Sequence, residues 1–372
     1  APMLLVLMAG LVLLLTLIVW WNRHLGRYGL PYLTLPFVFT YWVLMEGSDS
    51  LAAVVLRFPG VAGSGMAGAA GLVQADLLAS TGLAQAATDP SQQRTVLAAL
   101  ELEGLRVERG YAPSPLGQIH YQDVGVAKDG QPIYVLFHQV PWFHIYYTRA
   151  QAELAKRGIR SIAFDTPGYG MSSRPQQPPS IADYASALRA ALAHLKIDRA
   201  VVVGHHTGVT LGVELARRAP EQVQCLVGHG VPIYSEAEAK ARLNNPHWDQ
   251  SYKPEGAHLS ERYTFLSGRL AGSPDALHWS VFSLFLAGPN EWFGHHAVFR
   301  YDMADAIKEL KVPMIVLSNP DDLLDFTLDR VRALRPDFSY RRLEGTSSNM
   351  AFDQPVEWIE AITASVTASC PR

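Results

Sequence analysis

The chain is short of charge and of cysteine, and each shortage excludes a class of protein. Charged residues are 17% of its 372 residues, and the net charge is −3. Because nucleic-acid binding needs concentrated positive charge and no basic stripe is present, we predict no nucleic-acid partner. The two cysteines, Cys225 and Cys370, form no metal-binding spacing and no disulfide framework. We expect Cys225 to be a small buried residue and Cys370 to be incidental.

Hydrophobic residues reach 49% of the chain, and the surplus is concentrated at the N-terminus. Residues 3–21 are apolar except Thr16, and as a helix they would be about 28 Å long, which matches a bilayer core. The run is too long for a signal peptide, no basic segment precedes it, and no A-x-A cleavage site follows. We therefore predict a transmembrane helix. Because the chain begins at Ala1, we expect the natural N-terminus to be cut or missing from this sequence.

A second apolar run, residues 29–45, contains Pro31 and Pro36, which would break a regular helix near its start. Backbone groups freed at membrane depth must be satisfied by other protein, so we expect packing against another membrane subunit or a second copy. The letters LPYLTLPF at 30–37 resemble the L-P-x-x-T-x-P-F signature of urea transporters. A urea channel needs many more spans, so the resemblance implies at most a remnant reused as an anchor. A simple proline-bearing second span accounts for the same letters.

The charges around these two runs suggest an orientation in the membrane. Arg23 and Arg27 lie between the runs, whereas Glu46 and Asp49 follow the second one. If both runs span, the positive-inside rule puts the large domain on the extracytoplasmic side, and we favour this side. If the prolines make the second run re-entrant, the domain stays cytoplasmic.

From about residue 105, short apolar strands alternate with helical patterns, which favours a mostly parallel sheet with helices on both faces. The predicted domains are a membrane anchor, a small-residue linker or interfacial segment and an α/β domain, over residues 1–47, 48–104 and 105–372. The predicted strands are 132–138, 161–165, 200–205, 223–229, 312–318 and 338–344. The predicted helices are 181–195, 207–220 and 355–366.

Several motifs, in the right order, resemble the α/β-hydrolase superfamily. DTPGYGMSS at 165–173 is similar to its D-x-P-G-x-G-x-S loop, and VVVGHHTG at 201–208 stands where its G-x-S-x-G nucleophile elbow is found. LEGTSSNMAFDQP at 343–355 is similar to the loop that carries the family's catalytic histidine. A Trp- and His-rich insertion at about 232–300 stands where the family places a cap. The resemblance implies an α/β-hydrolase fold with that cap.

The resemblance also implies the positions of an acid and an oxyanion hole. The acid falls on Asp322, and the backbone N–H groups of Thr207 and Val140 are the candidate oxyanion donors. The family's His-Gly pair reads His138-Gln139 here. Because Gln139 does not readily take the positive φ that glycine permits, we expect this loop to differ.

Two catalytic positions are exchanged: His206 occupies the elbow, and Ser348 occupies the place of the catalytic histidine. Both the usual hydroxyl and its base are therefore missing from their positions. Our main interpretation is a degenerate membrane-anchored protein without ester hydrolysis, which serves as an accessory or structural subunit of a membrane complex. The alternative is a hydrolase of a small or lipid-derived ester, amide or epoxide. In that case His206, oriented by Asp322, would activate the Ser348 hydroxyl or water.

The thirteen histidines raise a third interpretation, a metal or pigment site. Four end predicted strands at the site edge and four lie in the predicted cap: His138, His205, His206, His229, His258, His278, His295 and His296. No pair combines i, i+4 spacing with a carboxylate, and the adjacent His205 and His206 should diverge, so we predict no metal and no cofactor. Four tryptophans near the presumed pocket would suit an apolar ligand or simply pack the cap: Trp142, Trp248, Trp279 and Trp292.

Overall fold

The protein is described here by a computed structural model, in which residues 102–270, 272–344 and 347–371 are described. The predicted anchor, with its urea-transporter-like letters, and nearly all of the predicted linker lie outside these residues. Within the described ranges, no helix combines the length and the apolar character needed to cross a membrane.

An eight-stranded sheet forms the centre of the described domain, with the order β1-β2-β4-β3-β5-β6-β7-β8. β1 and β2 are antiparallel to their neighbours, and the remaining strands run parallel. The strands are β1 (Val107–Ser114), β2 (Gly117–Val124), β3 (Tyr134–Phe137), β4 (Ser161–Phe164), β5 (Ala200–His205), β6 (Val223–His229), β7 (Met314–Ser318) and β8 (Ser339–Arg342). The predicted mostly parallel sheet is confirmed. The opening hairpin was not predicted, because β1 is largely exposed and interrupted by Gly110 and Pro113.

Helices connect the strands. They are α1 (Thr148–Lys156), α2 (Ile181–His194), α3 (Thr207–Arg218), α4 (Glu236–Leu243), α5 (Ala257–Ser267), α6 (Pro274–Ala287), α7 (Phe293–Phe299), α8 (Met303–Glu309), α9 (Leu328–Leu334), α10 (Met350–Asp353) and α11 (Pro355–Ser369). Short 3-10 helices cover His144–Tyr147, Pro220–Gln222, Pro254–Gly256 and Asp325–Thr327.

The apolar strand β5 shows how both faces of the sheet are covered. Successive side chains of a strand point to opposite faces. Val202 packs in one core cluster with Leu211 of α3, whereas Val203 packs in a second cluster with Trp358 of α11. Burying one such valine stabilises the fold by about 1.5–3 kcal/mol. This double burial explains why β5 is a continuous apolar run.

A disulfide joins Cys225 of β6 to Cys370, with their Cα atoms 5.7 Å apart. The expectation that Cys370 is incidental was therefore wrong. Cys225 faces the side of the sheet that α11 covers, and the end of α11 returns to that strand. A sequence separation of 145 residues gives no hint of this proximity.

Helices α4–α7 lie between β6 and α8, in the range predicted for the cap. The N–H of Gly294 in α7 donates a hydrogen bond of 2.8 Å to the hydroxyl of Tyr169, in the loop after β4. That hydroxyl donates in turn to the carbonyl of Glu291, at 2.6 Å. These two hydrogen bonds hold α7 against the edge of the sheet where the strands end.

Candidate active site

The turn between β5 and α3 has the geometry of a nucleophile elbow. His206 occupies it with a φ of +47°, a conformation that is strained for a residue with a side chain. The two flanking glycines let strand and helix approach closely. A Cβ on Gly208 would lie 1.8 Å from the carbonyl oxygen of Phe137, and one on Gly204 would lie 2.4 Å from the carbonyl carbon of Gly208.

The imidazole of His206 contacts the predicted acid directly. Its Nε2 lies 3.1 Å and 2.9 Å from the two carboxylate oxygens of Asp322. The ring has room because residue 230 is a glycine with a φ of +64°; a Cβ there would lie 2.4 Å from Cδ2 of His206. The contact between His206 and Asp322 that the alternative interpretation requires is thus present.

His205 reaches the same carboxylate, contrary to the expectation that it diverges from His206. Its Nε2 lies 3.2 Å from Asp322, and the two imidazole rings stack with centroids 4.1 Å apart. The reason is the elbow itself, since the positive φ of His206 reverses the chain after the strand. The rule that adjacent side chains point apart holds within the strand only.

Asp322 is held as a carboxylate. Burial alone would raise its pKa, but the imidazoles of His206 and His205 outweigh burial and bring the pKa below its usual range. The N–H of Leu324 also donates to Asp322 at 2.6 Å, which favours the ionised form. Burial lowers the pKa of His205 to about 3, so this imidazole is neutral at physiological pH.

The hydrogen bonds assign the proton positions on the two imidazoles. Nδ1 of His205 lies 2.9 Å from the hydroxyl of Tyr146, which donates to it, so Nε2 carries the proton that His205 gives to Asp322. His206 likewise donates its Nε2 proton to Asp322. Its Nδ1 makes no hydrogen bond within the described ranges, and its side chain is 14% exposed. Nδ1 is therefore the imidazole nitrogen of His206 that is left without a hydrogen-bond partner among the described residues, beside the elbow.

His229 lies beside this pair, but its donor set does not fit a metal. Its Nδ1 accepts a hydrogen bond from the indole N–H of Trp358 at 2.9 Å, so its proton sits on Nε2. That proton is donated to the side-chain oxygen of Asn319 at 2.8 Å. His205, His229 and Asp322 cluster as three ligands would. However, a protonated nitrogen has no lone pair for a metal.

The two predicted oxyanion donors remain available. Thr207 and Val140 are buried, and neither N–H makes a hydrogen bond in the described part of the chain. Thr207 is the first residue of α3, whose N-terminal N–H groups favour negative charge. Gln139 has no positive φ, as expected. Its side chain instead donates to the side-chain oxygen of Asn349, at 2.7 Å.

Ser348 is not brought to His206. Its hydroxyl accepts a hydrogen bond of 3.5 Å from the side chain of Asn349, and no hydrogen bond joins Ser348 to His206 among the described residues. Asn349 is buried and bonded to Gln139, so this hydrogen bond joins the 343–355 loop to the loop after β3. Sequence reasoning named Gln139 but did not find its partner Asn349, since Asn349 matches no family motif.

Asp165, in the loop after β4, belongs to a separate buried cluster that sequence reasoning also missed. It accepts hydrogen bonds of 2.9 Å from Nδ1 of His120 and from Nδ1 of His144. The backbone N–H groups of His144 and Met171 donate to it as well. These bonds hold the loop in place. His138 is also structural, because its Nδ1 donates to the carbonyl of Gln139 and its Nε2 accepts from the N–H of Thr166.

The four predicted tryptophans divide between core and cap. Trp142 packs against Phe352 in the core, and Trp279 packs against Phe143. Trp248 and Trp292 line a cleft in the cap. The apolar-ligand interpretation therefore applies to the second pair only.

Comparison with known proteins agrees with this fold. A family model described as alpha/beta hydrolase fold matches residues 135–301. The 2-(acetamidomethylene)succinate hydrolase of Mesorhizobium japonicum is 28% identical over 141 residues, which are 37% of this chain and 50% of that protein. An epoxide hydrolase of Caballeronia sordidicola is 32% identical over 117 residues, 31% of this chain and 36% of that one. The match thus spans no more than half the length of either relative.

A solved structure of E-2-(acetamidomethylene)succinate hydrolase superposes with a TM-score of 0.56, over 70% of this chain and 100% of that one. At 20% identity this likeness shows the fold alone. The described domain has the α/β-hydrolase fold, as the order of the motifs predicted. The relatives are named as hydrolases, which supports the hydrolase alternative more than the interpretation as an accessory subunit.

Proposed function

We propose that the protein is an ester hydrolase in which Nδ1 of His206 acts as a general base toward water. The observation that carries this proposal is the pairing of Nε2 of His206 with Asp322 at 2.9 Å, which leaves Nδ1 unbonded on the elbow. The hydrolase names of its relatives support the same class of reaction.

In the proposed reaction, Nδ1 of His206 removes a proton from water as the water oxygen bonds to the ester carbonyl carbon. The carbonyl electron pair moves to its oxygen, and the N–H groups of Thr207 and Val140 stabilise that oxyanion. The oxyanion then collapses, the bond to the alkoxy oxygen breaks, and that oxygen takes the proton from Nδ1. Asp322 stabilises the imidazolium that exists between these steps. No covalent bond to the protein forms.

The test is hydrolysis of a p-nitrophenyl ester by the full chain and by His206→Gln. General-base catalysis contributes typically about 10²–10⁴-fold, so we expect the variant to lose at least about 100-fold in rate. Ser348→Ala serves as the control and should retain the wild-type rate. An amide and an epoxide assayed in parallel would assign the substrate class.

A wild-type rate no higher than that of His206→Gln would contradict the proposal and favour the interpretation as a degenerate accessory subunit. Intact-mass spectrometry during turnover should show no acylated protein. An acyl adduct that Ser348→Ala abolishes would instead favour Ser348 as the nucleophile, activated by His206 and Asp322.

We further propose that the α/β domain lies on the extracytoplasmic side of a membrane, anchored by residues 3–21 and 29–45. The Cys225–Cys370 disulfide supports this side, because structural disulfides persist in oxidising compartments. Protease added to right-side-out vesicles should digest the domain. Protection that is lost only on lysis would place it in the cytoplasm.

We also retain the proposal that residues 29–45 associate with another integral membrane protein or a second copy. Cross-linking in membranes, followed by sizing in mild detergent, should yield a complex. A monomer under all conditions would argue against association.

A further inference from the structure

The cap contains a cleft of about 340 Å³ that the catalytic proposal leaves unused. We call it the cap cleft, and its lining includes Pro141, Trp248, Arg262, Glu291, Trp292 and His296. Aromatic side chains form much of its walls, and a guanidinium stands among them. Such a lining suits a ligand group that is charged at one end and apolar beside it.

Arg262 of α5 is in direct contact with no carboxylate of the described residues. It makes no hydrogen bond and no ion pair with any described residue, and its guanidinium lies over aromatic rings. The guanidinium carbon is 4.8 Å from the ring centroid of Trp248 and 5.2 Å from that of Phe265. Several other arginines of the domain do have carboxylate partners, such as Arg160 with Asp123 at 2.7 Å. A half-buried guanidinium without a partner is costly unless a ligand supplies one.

Buried donors beside Arg262 also lack acceptors. Nε of Arg262, Nε1 of Trp248 and Nδ1 of His296 are all buried, and none of them has a hydrogen-bond partner among the described residues. An indole N–H and a guanidinium N–H can only donate. A buried donor left unpaired destabilises the fold, so two adjacent ones point to a ligand that accepts hydrogen bonds.

Glu291 attracts Arg262 from a distance but does not contact it. It is buried, and among the described residues no ion pair within 4.0 Å joins it to Arg262. Burial raises the pKa of Glu291, which moves this carboxyl toward its neutral form. The cap cleft thus keeps a positive centre with open donors, and a carboxylate offers the paired oxygens that a guanidinium binds best.

The cap cleft adjoins the candidate active site. Pro141, in its wall, directly follows Val140, a candidate oxyanion donor. Helix α7, which contributes His296 to the cleft, packs on the same loop; a Cβ on Gly294 would lie 3.0 Å from a methyl group of Val140. A substrate with its carbonyl at Val140 can therefore extend an arm into the cap cleft.

We infer that the cap cleft is a subsite for a carboxylate group of the substrate, with Arg262 as the residue that binds it. Resting on the proposed function, this inference narrows the substrate class to esters that carry a carboxylate beyond a short apolar spacer. The aromatic walls cover the spacer, and Trp248 donates a second hydrogen bond to the carboxylate.

The test separates binding from turnover. Glutarate is titrated calorimetrically into the full chain carrying His206→Gln, alone or combined with Arg262→Gln, Arg262→Lys or Arg269→Gln. Arg269 is a matched control, because its guanidinium carbon also lies 5.2 Å from the ring of Phe265. A hydrogen bond between charged groups is worth about 10- to 100-fold in affinity, so Arg262→Gln should weaken the binding of glutarate by that factor. Arg262→Lys should restore part of the loss, and Arg269→Gln should change little.

The kinetic arm compares kcat/KM for mono-p-nitrophenyl glutarate and for neutral p-nitrophenyl valerate. Arg262→Gln should lower the first by about 10- to 100-fold and leave the second near wild type. Glutarate that does not bind, or that binds equally well to Arg262→Gln, overturns the subsite. If glutarate binding depends on Arg262 while neither ester is turned over, the subsite stands and the proposed hydrolase falls. Unchanged melting temperatures among the variants exclude unfolding as the cause.

Discussion

A histidine at the elbow changes which atoms meet the substrate. In the family's arrangement the elbow carries a nucleophile, and a histidine on another loop links that nucleophile to the acid. Here the side chain of His206 reaches Asp322 itself, so the imidazole and the carboxylate meet without an intermediary. Under the proposed mechanism, the position of Ser348 needs no histidine. The two exchanges noted in the sequence are in this sense complementary.

Gly230 is the residue that makes room for the His206 imidazole. An alanine there would be strained by the positive φ, and its Cβ would lie 2.4 Å from Cδ2 of His206 and 2.8 Å from Asp322. We expect Gly230→Ala to displace the imidazole and to reduce kcat/KM at least about 10-fold, as misplacement of catalytic groups does.

The control for this substitution is Gly268→Ala, because a Cβ at Gly268 meets no atom within 4 Å. Its kcat/KM should equal that of the wild type. Full activity in Gly230→Ala, with its melting temperature measured alongside, would mean that His206 does not act from the position seen here.

Strands and helices were predictable where both faces of an element are buried. β5 and β6 run over the residues that their apolar letters indicate, because a two-sided burial produces a continuous apolar run. The register between β5 and β6 places His205 beside His229 at the strand ends. No local sequence pattern predicts this pairing. The convergence of His205 and His206 on Asp322 was missed for the same reason, since it depends on the turn of the elbow.

The disulfide fixes the C-terminal end of α11 to the centre of the sheet. In the chain-entropy description, closing a loop of this length contributes about 5 kcal/mol, an upper figure that measured disulfides often miss. We expect Cys370→Ser to lower the melting temperature of the α/β domain, because the released C-terminus no longer restrains the unfolded chain.

Dithiothreitol should lower the melting temperature of the wild type toward that of Cys370→Ser and leave the variant unchanged. Equal melting temperatures for wild type and variant under oxidising conditions would show that the two cysteines are not joined in the protein.

The whole domain is expected to lose stability in acid, because it buries neutral imidazoles. Burial lowers the pKa of His205 to about 3 and that of His138 to about 4. In the unfolded chain the pKa of a histidine is about 6.5. Between these values the unfolded chain binds protons that the folded chain excludes. The free energy of unfolding therefore falls as the pH drops below about 6.5. Below about 3.9 the lowered pKa values of Asp322 and Asp165 add a loss of the same sign.

We expect the melting temperature to fall steadily from pH 6.5 to pH 5, with up to about 1.4 kcal/mol per pH unit from each buried imidazole. His138→Asn should flatten this slope, and His194→Gln, at an exposed position, should not. A melting temperature independent of pH over this interval would contradict the assignment of neutral buried imidazoles.

At the scale of the whole chain, the fold could be predicted from the order of the motifs, whereas the candidate site could be predicted only in part. The D-x-P-G-x-G-x-S loop, the elbow and the acid each sit on a short local pattern, so Asp322 and His206 could be named from the sequence. The cap cleft is assembled from α5, α7 and the loops beside them, and its defining feature is an arginine that makes no hydrogen bond and no ion pair with any described residue. An absent partner is a property of three-dimensional packing, and no sequence pattern encodes it.

The most direct test of the central claim is a double-mutant comparison of His206→Gln, Asp322→Asn and the two combined. Residues that act as one catalytic unit are not additive, so each single variant should lose most of the ester hydrolysis and the double variant should lose little more. We predict this pattern for kcat/KM on a p-nitrophenyl ester, with Ser348→Ala at the wild-type rate. Losses that multiply, or an Asp322→Asn variant with full activity, would show that Asp322 does not hold His206 as the base.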